Sequence, residues 1–267
     1  MALPESVPLD VAPLRCWREG GIAHLRFNRP QAMNAIDLPM AQAFHQACRQ
    51  ISADPQVRVV VLSGEGRAFM AGGDLQSMAA DPTAVAAELI GEMHAGIELL
   101  AALSAPVIAS VHGAVAGGGL GLALVCDLIV AAEGTRFNLA YTRIGTSSDC
   151  GTSWGLPRWV GLRKALEIAL LCEPFDAAEA LRLGMVNRVV PADALAEQTL
   201  AWARQIEASA PLAVGRLKRL MRQSDQQDLP TQLAVEAREF VACAGSADFA
   251  EGVAAFLAKR PARFSGR

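Results

Sequence analysis

Three consecutive glycines, Gly117, Gly118 and Gly119, interrupt a stretch that carries no Lys, Arg, Asp or Glu from Ala101 to Val125. This feature constrains the fold more than any other. Ahead of it, 106–112 (PVIASVH) is short, rich in β-branched residues and opens on proline, which predicts a buried strand. Behind it, Leu120, Leu122, Ala123 and Leu124 predict a buried helix that stops near Cys126. Asp127 then leads into a second strand over 128–132. A strand, a glycine turn and a helix start leave bare N–H groups at a helix N-terminus. Such groups suit an anion, or an oxygen that becomes anionic during a reaction.

Glycine turns also serve simply to permit positive φ and close packing. Two further readings fail outright. A dinucleotide-binding G-x-G-x-x-G beginning at Gly117 would need glycine where Leu122 stands, and no G-x-x-x-x-G-K-[ST] occurs. A membrane span is excluded because Pro106 and the glycines break the apolar run into pieces too short to cross as one helix.

The length of 267 residues allows one large domain or a domain with an appendage, and 52% apolar residues supply a sizeable core. A net charge of −3 with no basic cluster argues against nucleic acid as a partner. The opening MALPESVPLDVAPL lacks the basic and apolar regions of a signal peptide. Six cysteines without C-x-x-C spacing, and only four histidines, predict a reduced cytoplasmic protein without a dedicated metal site.

Along the chain, 14–17 and 22–27 predict a hairpin turned at Gly20-Gly21. A loop follows over 28–36. Asp37 then caps a helix with apolar residues at Met40, Phe44, Cys48 and Ile51. VRVVVL (57–62) predicts a strand, and GEGRAFMAGGDL a glycine-rich loop that turns into a helix near Asp74. A long helix is expected over 82–103, shorter ones over 162–171 and 177–183, and a short strand over 186–190. From Asp193 onward the pattern is helical. Strand–loop–helix units followed by helices alone predict an α/β body over 1–195 and a helical piece over 196–267.

One decoy is set aside. Residues 151–155 spell G-x-S-x-G, but no strand leads into Ser153 and all four histidines precede it, so a hydrolase elbow does not fit.

Several stretches together resemble the crotonase superfamily, the enoyl-CoA hydratase/isomerase family. They are NRPQAMNAI (28–36), RAFMAGGDL (67–75), the 112–132 segment and GVAAFLAKRPARF (252–264), in the family's order. The resemblance implies a spiral of ββα turns with a C-terminal helical domain for trimerisation, assembled as a homotrimer or a hexamer. It implies an acyl-CoA substrate, with coenzyme A carried on the substrate and no other cofactor. The N–H groups of Gly73 and Gly118 would form the oxyanion hole. Ala35, Ala68, Ala71 and Asp74 would line the CoA pocket, and Phe256 and Lys259 would reach the CoA of a neighbouring subunit.

The departures from the family pattern concern the reaction. Family hydratases place glutamates three residues after the middle glycine and twenty further on, where this chain has Gly121 and Tyr141. Water addition needs such a carboxylate pair. Asp149 remains, in TRIGTSSDCGTSWGLPR, a stretch similar to the ring 1,2-epoxyphenylacetyl-CoA isomerases and dienoyl-CoA isomerases of the family. Many members have proline where Ser148 stands. The resemblance gives Asp149 proton-transfer work in an isomerisation. Taken by itself, Asp149 also suits the N-cap of a helix over 151–159. The same residues are similar to 4-chlorobenzoyl-CoA dehalogenase, in which the aspartate is a nucleophile and a histidine, here His94, activates water. That enzyme has tryptophan where Tyr141 lies. A further alternative is an acyl-CoA binder without turnover. Asp149, Gly73, Gly118, His94 and Tyr141 are therefore the candidate catalytic residues.

Overall fold

The computed structural model describes residues 12–79 and 81–267; residues 1–11, most of the stretch read above for a targeting signal, lie outside the described residues. The expected hairpin is present as β1 (Leu14–Glu19) and β2 (Ile22–Phe27), with Gly20 at φ +59° in its turn. In α1 (Leu38–Ala53) the Asp37 carboxylate accepts the Met40 N–H at 3.0 Å. That helix buries Met40, Phe44, Cys48 and Ile51 on one face, as their spacing requires.

The chain continues through β3 (Val59–Gly64), the single turn α2 (Leu75–Met78), α3 (Pro82–Ala102), β4 (Val107–Val111), β5 (Ala114–Ala116) and α4 (Gly118–Val125). Next come β6 (Leu128–Ala132), β7 (Arg136–Asn138), α5 (Thr152–Val160), α6 (Leu162–Leu171), β8 (Phe175–Asp176), α7 (Ala177–Arg182) and β9 (Arg188–Val190). The helices α8 (Leu195–Glu207), α9 (Pro211–Gln223), α10 (Leu229–Ala244) and α11 (Ala247–Leu257) follow. Residues 258–267 are not helical, so the helical pattern expected from Asp193 onward stops before the last ten residues. β5, β7 and β8 were not anticipated. Strands of two or three residues are too short to show a period.

A six-stranded sheet has the order β1-β2-β3-β4-β6-β9 and is parallel except for the β1–β2 hairpin. A small sheet has the order β5-β7-β8. The two sheets exchange strands in a regular way. β4 lies in the large sheet, β5 in the small one, and α4 follows. β6, β7 and α5 repeat that path. β3 does the same, because Met70 bridges Val115 of β5 before the chain enters α2. Three successive ββα turns thus form the expected spiral, and each ends in a loop that starts a helix.

Alternate residues of the large sheet face opposite ways. Val60 and Leu62 join the main core with Phe27, Phe44, Phe69 and Phe137, while Val59 and Val61 join a second cluster with Ile108, Val130 and Ala203 of α8. α9 is tied to the body through Asp127. Its carboxylate pairs with Lys218 Nζ at 2.8 Å and with Arg222 at 2.7 Å, and accepts the Val107 N–H at 2.8 Å. Burial lowers the Lys218 pKa, and Asp127 opposes that shift. Among the described residues no single helix is long and apolar enough to cross a membrane.

Candidate functional site

The three helix starts of the spiral stand beside one another. Gly72 has φ +99°, and a Cβ placed on it would lie 3.3 Å from the Ala116 carbonyl oxygen and 3.6 Å from Gly117 Cα. Gly117 has φ 50° and ψ −125°. Backbone that close, in those conformations, admits only glycine. Helix α4 starts at Gly118, earlier than the apolar pattern from Leu120 indicated, so the second and third glycines form its first turn. Gly119 packs against Met70, whose carbonyl oxygen would lie 2.6 Å from an added Cβ. Among the described residues, neither the Gly73 nor the Gly118 N–H donates to an acceptor in these turns.

The first of these loops is clamped by the 28–36 segment. The buried Asn34 amide donates to the carbonyls of Ala68 at 2.7 Å and Glu65 at 3.0 Å, and its oxygen accepts the Arg29 N–H at 2.8 Å. The Ile36 N–H donates to the Gly72 carbonyl and the Ile36 carbonyl accepts the Asp74 N–H, at 2.8 Å each. The 28–36 motif does not by its pattern single out Asn34 as the clamp. The residue type fits, because Asn tolerates the left-handed conformation, φ 55°, that the buried loop requires.

Asp149 comes to the Gly118 end of α4. An added Cβ on Gly118 would meet Asp149 Oδ1 at 3.4 Å, Ile36 Cδ1 at 3.4 Å and Cys150 Sγ at 3.1 Å. The capping alternative does not hold. The N-cap of α5 is Gly151 without a side-chain cap, and only the Asp149 carbonyl accepts the Thr152 N–H, at 3.0 Å. The carboxylate instead accepts the Tyr141 O–H at Oδ1. Burial, and then the Asp149 charge, push the Tyr141 pKa well up, so the phenol stays a proton-bearing donor. Cys150 is buried beside them. Burial and Asp149 also raise its thiol, which removes it as a nucleophile.

The turn that carries Asp149 is strained. Cys150 (φ 49°) and Gly151 (φ 78°) are both left-handed, and such a conformation costs a non-glycine residue about 1–2 kcal/mol. His94, from α3, reaches this turn and accepts the Cys150 N–H on Nε2 at 3.1 Å. His94, Tyr141, Asp149 and Gly118 are therefore gathered in one place.

The position of the first hydratase glutamate is closed. A Cβ on Gly121 would collide with Thr152 Oγ1 and lie 2.7 Å from the Cys150 carbonyl oxygen. The second such position holds Tyr141.

The residues expected around CoA are distributed differently. Ala35, Ala68 and Ala71 lie in the clamped loops, with Ala68 buried. The Asp74 carboxylate pairs with Arg29 at 3.1 Å and caps α2, which fastens the first glycine loop to the 28–36 segment. Phe256 lies on the last turn of α11, 82% exposed, and Lys259 just beyond it, so Phe256 packs against little in its own chain.

The enoyl-CoA hydratase/isomerase family model matches residues 18–267. A probable enoyl-CoA hydratase of Rhodobacter capsulatus is 38% identical over 92% of this chain and 95% of its own. The 1,2-epoxyphenylacetyl-CoA isomerase of Escherichia coli is 36% identical, over 93% and 97% respectively. The 4-chlorobenzoyl coenzyme A dehalogenase-2 of an Arthrobacter species is 33% identical, over 90% and 88%. Among solved structures, an enoyl-CoA hydratase from Bacillus anthracis superposes with a TM-score of 0.92 at 29% identity, covering 96% of this chain and all of that one. The three relatives are named for three different reactions.

Proposed function

The chain belongs to the enoyl-CoA hydratase/isomerase family, and from that premise we propose that it is an acyl-CoA isomerase with Asp149 as its single acid/base. The thioester carbonyl oxygen accepts the N–H groups of Gly73 and Gly118. As charge develops there, each donor contributes about 3–4 kcal/mol to the transition state. Asp149 takes a proton from carbon, and the electron pair moves through the enolate onto that oxygen. The protonated Asp149 then returns the proton at another carbon as the carbonyl re-forms. Nothing is added or lost, and coenzyme A stays attached as the substrate's own carrier.

The observation that carries this reading is the environment of Asp149. One carboxylate oxygen is held by the Tyr141 O–H, beside the open N–H of Gly118, and the place of a first hydratase glutamate is occupied by Thr152. A dehalogenase would need the His94 Nε2 lone pair to activate water, and the Cys150 N–H occupies that lone pair. Six unpaired cysteines suit a reducing, cytoplasmic compartment.

The test is mass spectrometry of 3-enoyl, ring-epoxide and 4-halobenzoyl thioesters incubated with the enzyme in deuterated water. Deuterium should enter the acyl chain without other change in composition. Asp149→Asn should lower that turnover at least about a thousandfold while thioester binding persists, because the general acid/base is lost. Halide release, or an active Asp149→Asn, would refute the reading.

We also propose a homotrimer, or a pair of them as a hexamer, built through the C-terminal helices. Phe240, Val241 and Leu257 are 66%, 70% and 76% exposed in one chain, an apolar surface that a second copy would bury. The double variant Phe240→Glu, Val241→Glu should sediment as a single chain where the parent sediments as a multiple. A parent that already sediments as one chain defeats the proposal.

A further inference from the structure

We infer that His94 is a positioning residue, which holds the turn carrying Asp149 through the backbone N–H of Cys150. The structure places three facts together. The turn 149–151 contains a left-handed Cys150 followed by a left-handed Gly151, a conformation that glycine tolerates and cysteine resists. The N–H of that strained residue is taken by His94 Nε2 at 3.1 Å. The two groups come from elements far apart in sequence, so the bond joins α3 to the third helix start of the spiral.

The consequence follows from where Asp149 must sit. Its carboxylate accepts the Tyr141 O–H at Oδ1, is hydrogen-bonded by the Cys150 thiol and lies close to Gly118. These side-chain bonds leave the strained backbone of the turn free to shift, and the carboxylate with it. The His94 bond fixes the backbone immediately after Asp149, which removes that freedom. An imidazole accepting on Nε2 carries its proton on Nδ1, so the nitrogen that faces the turn is not available to take a proton from water or substrate. His94 thus acts on the turn, and Asp149 acts on the substrate.

The catalytic consequence rests on the isomerase reading, whereas the contact itself does not, and two measurements keep them apart. The first is deuterium uptake at the amides of the Asp149–Thr152 segment, read by mass spectrometry on the intact assembly. The second is turnover of 3-hexenoyl-CoA in deuterated water. His94→Leu removes the acceptor, and His94→Gln supplies an amide oxygen in its place. His94→Leu should exchange faster in that segment and lose about tenfold to a hundredfold in kcat, with KM within about twofold, as a small misplacement of a reacting group does. His94→Gln should retain kcat to the extent that it retains protection.

A variant in which protection and kcat part company overturns the inference. Three results would be of that kind: a His94→Leu with parental turnover, a protected His94→Gln as slow as His94→Leu, and an unprotected His94→Gln at full rate. Should the parent enzyme leave 3-hexenoyl-CoA untouched along with the other thioesters, the isomerase reading fails. Protection in the parent and its loss in His94→Leu would still decide the contact.

Discussion

Phenylalanine meets opposite fates in the two parts of this molecule. In the body Phe27, Phe44, Phe69 and Phe137 are fully buried, and Phe27 packs on Phe44 and Phe69 with ring centroids 6.0 and 5.8 Å apart. In α10 and α11, Phe240 and Phe256 are mostly exposed and Phe249 partly so. The body gains enough burial from two sheets and α1 to close its own core. The helices have only their neighbours and the edge of the body, so their apolar faces stay open in the single chain, and the proposed oligomer would cover them. The site follows the same division. The Gly73 and Gly118 N–H groups proposed to face the carbonyl, and Asp149, belong to the closed body, where packing enforces their positions. Phe256, on the last turn of α11, and Lys259, just beyond it, which the resemblance would place at the CoA of a neighbouring subunit, belong to the open end.

Asp127 joins the body to α9 of the C-terminal part, and removing it gives the largest effect expected on the fold. Asp127→Ala leaves Lys218 and Arg222 without their counter-charge at a joint where the Lys218 side chain is only 8% exposed. Breaking one side of such a buried pair costs about 3–5 kcal/mol. Urea unfolding should show a correspondingly lower midpoint. An unchanged midpoint would mean that α9 is held by its apolar contacts alone and that the comparison overstates the joint.

A smaller effect is expected inside the body. Gly121→Ala forces Thr152 and the Cys150 carbonyl to move, at about 1–3 kcal/mol of overpacking. Gly91, in α3, has nothing within 4 Å of an added Cβ, so Gly91→Ala should instead stabilise by about 0.5–1 kcal/mol. Thermal unfolding of both variants checks the pair. Equal shifts of the same sign would contradict the packing described at Gly121.

The smallest effect leaves stability untouched and reads the comparison through thiols. Burial pushes the Cys16 and Cys126 thiols up to about 12, and those of Cys48 and Cys150 well up as well. At pH 8 the thiolate is the reactive form and these four hold almost none of it. Iodoacetamide at pH 8 should label Cys243, half-buried in α10, and leave the four unmodified in the same time. Early labelling of Cys150 would show that the turn beside Asp149 opens.

Much of the fold was legible because its elements are long enough to show a period. α1 announced itself by Asp37 and by Met40, Phe44, Cys48 and Ile51, and the buried strands by β-branched runs. Boundaries moved by a residue or two, with β3 starting at Val59 and β4 ending at Val111. The small sheet left no trace. Its strands are held by register with neighbours, such as Ala114 against Arg136 and Met70 against Val115, and a register of that kind has no local signature.

The glycine positions, the apolar units around them, the helical end of the chain and the lack of a glutamate pair were determined by the sequence itself, since each is a matter of residue type and local spacing. Which way Asp149 faces was decided only by the tertiary structure. A carboxylate two residues before a glycine fits a helix cap as well as a side chain turned toward the glycine helix start, and local chemistry does not separate the two. The choice is made by Tyr141 and His94, which hold the carboxylate and the following N–H, and by Thr152, which fills the space that Gly121 leaves open. These contacts depend on how three turns of the spiral stack. Stacking is set by the packing of the whole body, so it cannot be read from any one stretch of the chain.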